Sequence, residues 1–264
     1  MNAVPFALRA GRGGPAVVLL HGLGGNAESW RPQLDALADR HRVLAWEMPG
    51  YGRSAPLPEL TFAAVNDALA RLLDAEGIAV AHLVGHSLGA MVAQEFALAH
   101  PERVRSLALL AGSGRFGPPG GSWQQRFVAE RLAPLDAGRS MAEIADDALP
   151  RLFAGPVDPA RRALARAALA AVPAATYRAA LAMLAGFDAL DRLPALRLPA
   201  LLVGGEHDPM APLEGLHRLH AALPGARLEI VPGAGHWLGL ECPERLNPLL
   251  RDFLAEVDAR GDAA

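Results

Sequence analysis

The sequence predicts an α/β protein: a mostly parallel, twisted sheet flanked by helices, with a helical cap inserted among its strands. Three observations lead there. In the first half of the chain, short apolar runs alternate with segments of helical spacing. The connections between them are short, which joins neighbouring strands in parallel through helices on both faces. From about Gly112 to Arg192 the alternation stops, and helical and Pro/Gly-rich stretches run on without a convincing strand.

The elements follow in order. Ala16–Leu20 is a continuous apolar run, as suits a strand buried on both faces. A glycine-rich loop, His21-Gly22-Leu23-Gly24-Gly25, comes next. Ser29 to Asp39 has helical spacing, with Trp30, Leu34, Leu37 and Ala38 apolar. Arg42–Trp46 reads as a strand ending in the turn Met48-Pro49-Gly50-Tyr51-Gly52. Thr61 can cap a helix to about Ala75, with Leu69, Leu72 and Leu73 on its apolar face. Val80–Val84 is a strand, Ser87 to Ala99 a helix stopped by Pro101, and Val104–Leu110 a strand. Arg161–Leu184 is rich in Ala, Leu and Arg, strong helix formers, and is interrupted at Pro173. Strand signals return at Ala200–Val203 and Arg227–Val231, and a helix from Pro243 to about Val257 follows. The expected organisation is a core of residues 1–113 and 192–264 with a cap over 114–191.

Composition removes several classes of function. The chain of 264 residues is 52% hydrophobic and 20% charged, enough apolar material for a large core. Its net charge of −3 offers no basic excess for a phosphate backbone, so no nucleic-acid partner is expected. The chain contains no lysine, which excludes a lysine Schiff base, a Walker lysine and a serine–lysine dyad. Its single cysteine, Cys242, excludes an internal disulfide and a multi-cysteine metal site. No apolar run reaches the ~18 residues of a spanning helix. Met1–Leu8 lacks the basic start and long apolar stretch of a signal peptide. The expectation is a cytoplasmic protein with no membrane partner.

Gly85-His86-Ser87-Leu88-Gly89 fits G-x-S-x-G and joins a strand to a helix. A chain turning that sharply while presenting one side chain must have small residues on either side of it. Ser87 is therefore the candidate nucleophile. The helix start beside it leaves N–H groups unpaired, so the Leu88 amide can face a developing oxyanion. A second donor belongs in the glycine loop, and Leu23 is the candidate.

Of nine histidines, His236 is the candidate base, because it lies after the last strand in Gly233-Ala234-Gly235-His236-Trp237. His21 is assigned a structural role in its loop. His86 is expected to point away from Ser87, and His41, His82 and His100 read as surface or boundary residues. His217 and His220 share a helix face but have no third ligand in the sequence, so no metal is expected. Asp208, on the loop after Ala200–Val203, is the acid that would orient the histidine, with Glu206 the fallback.

These motifs together resemble the α/β-hydrolase superfamily along nearly the whole chain. His21-Gly22 looks like its oxyanion loop, Pro49-Gly50-Tyr51-Gly52-Arg53-Ser54 like its P-G-x-G-x-S turn, and Gly85–Gly89 like its nucleophile elbow. Gly205-Glu206-His207-Asp208-Pro209 looks like its acid loop and Gly235-His236 its histidine loop. The resemblance implies a cap after the sixth strand. It also implies a serine hydrolase of esters or lactones, similar to carboxylesterases and 3-oxoadipate enol-lactonases, that uses no cofactor. The alternatives are hydrolysis of carbon–carbon bonds in ring-fission dienoates and a cofactor-free perhydrolase. Glu47 departs from the Asp of many relatives and is read as structural.

The cap should line the pocket, with Phe116, Trp123, Phe127, Met141, Phe153, Met183 and Phe187 as candidates, joined by Trp30, Met210 and Trp237. Arg115, Arg126 and Arg131 lie near its entry. A substrate carrying a carboxylate would want one of them facing Ser87. The expected partners are a small-molecule ester or lactone and, at most, a second copy of the chain in a homodimer.

Overall fold

The computed structural model describes residues 3–117 and 121–261, and in it seven strands form one sheet. They are β1 (Ala7–Ala10), β2 (Ala16–Leu20), β3 (Arg42–Trp46), β4 (Ala81–His86), β5 (Val104–Leu110), β6 (Ala200–Gly205) and β7 (Arg227–Val231). Their order is β1-β3-β2-β4-β5-β6-β7. β1 pairs antiparallel with β3, and every other pairing is parallel. Met1 and the end of the 192–264 segment lie outside the described residues.

Side chains alternate across a strand, and β2 shows what that does in a sheet buried on both sides. Val17 and Leu19 face a core built with α1 (Arg31–Leu37) and α10 (Pro243–Gly261). Val18 and Leu20 face a second core built with α2 (Phe62–Ala75) and α3 (Leu88–Ala99). Thr61 caps α2, its hydroxyl accepting from the Ala64 amide at 3.2 Å.

Among the described residues, four α-helices stand between β5 and β6: α4 (Ser122–Asp136), α5 (Met141–Leu152), α6 (Pro159–Ala170) and α7 (Ala174–Ala185). Pro173 separates α6 from α7, which meet at 91°. α8 (Leu213–Ala222) and the short α9 (Leu238–Glu241) complete the helices. No single described helix is long and apolar enough to cross a membrane.

Two expectations are corrected. The insertion follows the fifth strand, not a sixth, because β1 is all that lies beyond β3 at the antiparallel edge. β1 itself was not foreseen, since four residues including Arg9 carry no strand pattern until β3 pairs with them.

Candidate active site

Ser87 sits at the tip of the turn from β4 into α3 with φ +54°, a left-handed conformation that non-glycine residues rarely adopt. Its amide donates to Leu110 O on β5 at 2.8 Å, which holds the strained turn in place. Close approach explains the flanking glycines. A Cβ on Gly89 would lie 2.0 Å from Leu20 O, and one on Gly85 would lie 2.4 Å from Gly89 O. The Leu88 amide opens α3, and neither it nor the Leu23 amide has a hydrogen-bond acceptor among the described residues. Such helix-opening donors have no partner within the helix.

His236 and Asp208 meet from the loops after β7 and β6. His236 Nδ1 lies 2.7 Å from Asp208 Oδ2. A carboxylate only accepts, so Nδ1 carries the proton and Nε2 keeps its lone pair. The second Asp208 oxygen accepts from the amides of Met210 at 2.7 Å and Ala211 at 2.9 Å. Burial works to raise the Asp208 pKa, but His236 and these amides together hold it below the ordinary carboxylate range. Glu206, the fallback, instead accepts from the Gly233 amide at 2.7 Å and does not touch His236.

Ser87, His236 and the loop Gly22–Gly25 all line one cavity of about 910 Å³ beneath the cap helices. No hydrogen bond joins the Ser87 hydroxyl to His236 among the described residues. Such contacts commonly tighten only when substrate is bound.

His86 does more than point away. Its Nε2 donates to His236 O at 2.8 Å, and its ring packs against His236, 4.9 Å between centroids, and stacks on Trp237. Burial pushes its pKa down to about 3, so it is neutral. His21 is likewise neutral, with burial lowering it to about 4. It accepts from the Met48 amide at Nε2 and donates from Nδ1 to Gly22 O, tying the glycine loop to the Pro49–Ser54 turn. Tyr51 adds a hydroxyl bond to Leu23 O at 3.0 Å. Glu47 is buried and accepts from the Arg53 amide at 2.6 Å, which is the structural part expected of it.

Glu241 escaped the sequence reading. Its carboxylate accepts from Gly235 in the histidine loop and from Ala154 and Gly155 after α5. The His236 and Trp237 amides both donate to Leu152 O at the end of α5. Nothing local in the sequence marks these long-range contacts.

Trp123, Phe127, Met210 and Trp237 line the cavity, as does Phe116. Trp30 does not. It is buried at the end of the turn Ala27–Trp30, beside a separate small void under His86 and Trp237. Met141, Phe153, Met183 and Phe187 pack in the cores and do not line the cavity. His41 and His82 are not surface residues: both are buried, their Nε2 atoms 3.0 and 3.1 Å from the Asp258 carboxylate, which fastens α10 to the base of the sheet. His220 Nε2 donates to Ala226 O at 2.9 Å, and His217 joins no cluster of candidate ligands among the described residues.

Comparison with known proteins shows the family. The chain is 36% identical over 258 residues to the provisionally named carbamate hydrolase RutD of Variovorax paradoxus, spanning 94% of each. It is similar in structure to a thermophilic esterase from Thermogutta terrifontis, with 30% identity, TM-score 0.83, and 96% and 94% of the two chains covered. It is also similar to the enol-lactonase from Burkholderia xenovorans LB400, with 27% identity, TM-score 0.83, and 95% and 96% covered. The family model described as the alpha/beta hydrolase fold matches residues 15–243. This chain belongs to the alpha/beta hydrolase fold family.

Proposed function

We propose that the protein is a serine hydrolase of carboxylic esters or lactones that works through an acyl-enzyme. Ser87 Oγ attacks the substrate carbonyl carbon, and its proton passes to His236 Nε2. The carbonyl oxygen, now negative, is received by the Leu23 and Leu88 amides. His236 then gives the proton to the leaving alkoxide as the C–O bond breaks, leaving Ser87 esterified. Water attacks the acyl carbon and loses a proton to His236, which returns it to the departing Ser87 oxygen. Asp208 keeps His236 in the accepting tautomer throughout.

The observation that carries this reading is the 2.7 Å Nδ1–Oδ2 contact on a loop sharing a cavity with a serine at φ +54°. The names of the relatives, esterase, enol-lactonase and carbamate hydrolase, support it, since esters, lactones and carbamates all carry an acyl carbon that a serine can attack. The test is hydrolysis of nitrophenyl butyrate, a small lactone and an alkyl carbamate by the wild type and by Ser87→Ala. The expected result is turnover of an ester or the lactone by the wild type and a loss of at least ~10³-fold in the variant. The fold should be intact, since one oxygen is removed. Near-normal turnover by Ser87→Ala ends the reading.

A further inference from the structure

Arg131 on α4 lines the cavity that contains Ser87 and is half-buried there. Its guanidinium lies over the Phe127 ring, 3.2 Å from the centroid. Nη1 donates to Phe127 O at 3.1 Å, and Nη2 lies 3.5 Å from Met210 Sδ. These are weak partners for a full positive charge, and a guanidinium has further donors to offer. No carboxylate lies within ion-pair distance of it among the described residues, although other cavity arginines differ. Arg115 is held by Asp188 and Asp191, while Arg151 and Arg218 are exposed to solvent. The nearby acids are also engaged or open to water: Asp146 is bound by Arg166, Asp147 by Arg139, and Glu130 is exposed.

A half-buried cation without a carboxylate partner keeps part of its charge unmatched until an anion pairs with it. Burial depresses the Arg131 pKa, yet an arginine stays protonated and so waits for an anion. Its location says which anion would reach it. Met210, which it touches, is two residues beyond Asp208, and the Met210 amide bonds Asp208 itself. The cation therefore stands on the wall that carries the candidate acid and base, on the cap side of the same space.

We propose that Arg131 binds a carboxylate of the substrate, so that the ester or lactone hydrolysed here carries a second, free carboxylate away from the scissile bond. Stacked on Phe127, the guanidinium has N–H donors beyond those spent on Phe127 O and Met210 Sδ, and its planar fork can offer them to a carboxylate in a way that lysine does not reproduce. The proposal rests on reading this cavity as the hydrolytic site.

The experiment compares monomethyl adipate with dimethyl adipate as substrates of the wild type, Arg131→Gln, Arg131→Lys and Arg126→Gln. Arg126 lies on the same helix but is exposed and outside the cavity wall. The wild type should prefer the charged ester by kcat/KM, and Arg131→Gln should lower that charged-to-neutral ratio at least ~10-fold, with Arg131→Lys between them. Arg126→Gln should keep the wild-type ratio. In parallel, adipate should raise the melting temperature of the wild type and not that of Arg131→Gln. A wild type that prefers the neutral diester, or a ratio equal in wild type and Arg131→Gln, overturns the proposal. If neither adipate ester is turned over, the hydrolase reading is judged by the nitrophenyl butyrate and lactone assays above. The adipate shift still decides the Arg131 site: present and Arg131-dependent it stands, absent it falls.

Discussion

His86 donates its Nε2 proton to the main-chain oxygen of His236, 2.8 Å away, so the residue before the candidate nucleophile fixes the loop that carries the candidate base. The elbow and the histidine loop come from distant parts of the chain, yet one buried bond sets their spacing. Replacing His86 by Phe keeps ring packing against Trp237 but leaves the His236 carbonyl without its donor. An unsatisfied buried carbonyl costs about 1–3 kcal/mol. The expected result is a stability loss of that order together with a lower kcat, read by denaturant titration and steady-state hydrolysis. Unchanged kcat would show that the spacing does not depend on this bond.

Asp208→Asn tests the tautomer. The amide can offer its nitrogen to His236 Nδ1, which would move the imidazole proton to Nε2 and remove the acceptor facing the cavity. kcat is expected to fall by about 10³–10⁴-fold with little change in folding, measured by ester hydrolysis and circular dichroism.

Gly89→Ala tests the elbow itself. Its Cβ would meet the Leu20 carbonyl oxygen at 2.0 Å, a main-chain atom of β2 that cannot turn aside. A loss above about 3 kcal/mol is expected, seen as a large drop in melting temperature or failure to fold.

Acid should weaken the fold through its buried histidines. Burial holds His21 and His82 at about 4 and His86 at about 3 in the folded chain, below the ordinary histidine value of 6.5. For His82, the opposing pull of Asp258 is outweighed by burial, with His41 and Arg105 adding to the depression. Unfolded chains take up protons near pH 6.5 while these sites in the folded chain refuse them until pH 4 or below. Their contribution is therefore complete above pH 6.5 and lost as pH falls from 6.5 toward 4. Each adds up to about 1.4 kcal/mol per pH unit to the slope in that window. Chemical denaturation at pH 7, 6, 5 and 4.5 should show a steepening loss; a flat stability across that range would contradict it.

What the sequence made legible was what local chemistry determines. The Thr61 cap, the break at Pro173 and the run Arg42–Trp46 rest on neighbours a few positions away, and all three elements stand where expected. The Gly85–Gly89 turn was legible for the same reason, since the strain at Ser87 and the contact of Gly85 with Gly89 O lie within the motif. The pairing of Asp208 with His236 was read from the order of loops on a parallel sheet, and the structure brings those two side chains into contact. The rest depended on partners far along the chain. His86 finds its acceptor 150 positions on, Glu241 reaches Ala154 across 87, and β1 becomes a strand only against β3. Trp30 was a pocket candidate from the core, but it lies outside the cavity wall. Which side of the glycine loop it occupies is set by packing against α9 and α10, which no local pattern encodes.

The most direct measurement is to treat the protein with a fluorophosphonate and locate the adduct by mass spectrometry while following ester hydrolysis. A single phosphonyl group on Ser87, forming in step with complete loss of hydrolysis, is the expected result. Full hydrolysis by protein carrying that adduct, or inactivation with the label on another residue, would contradict Ser87 as the nucleophile.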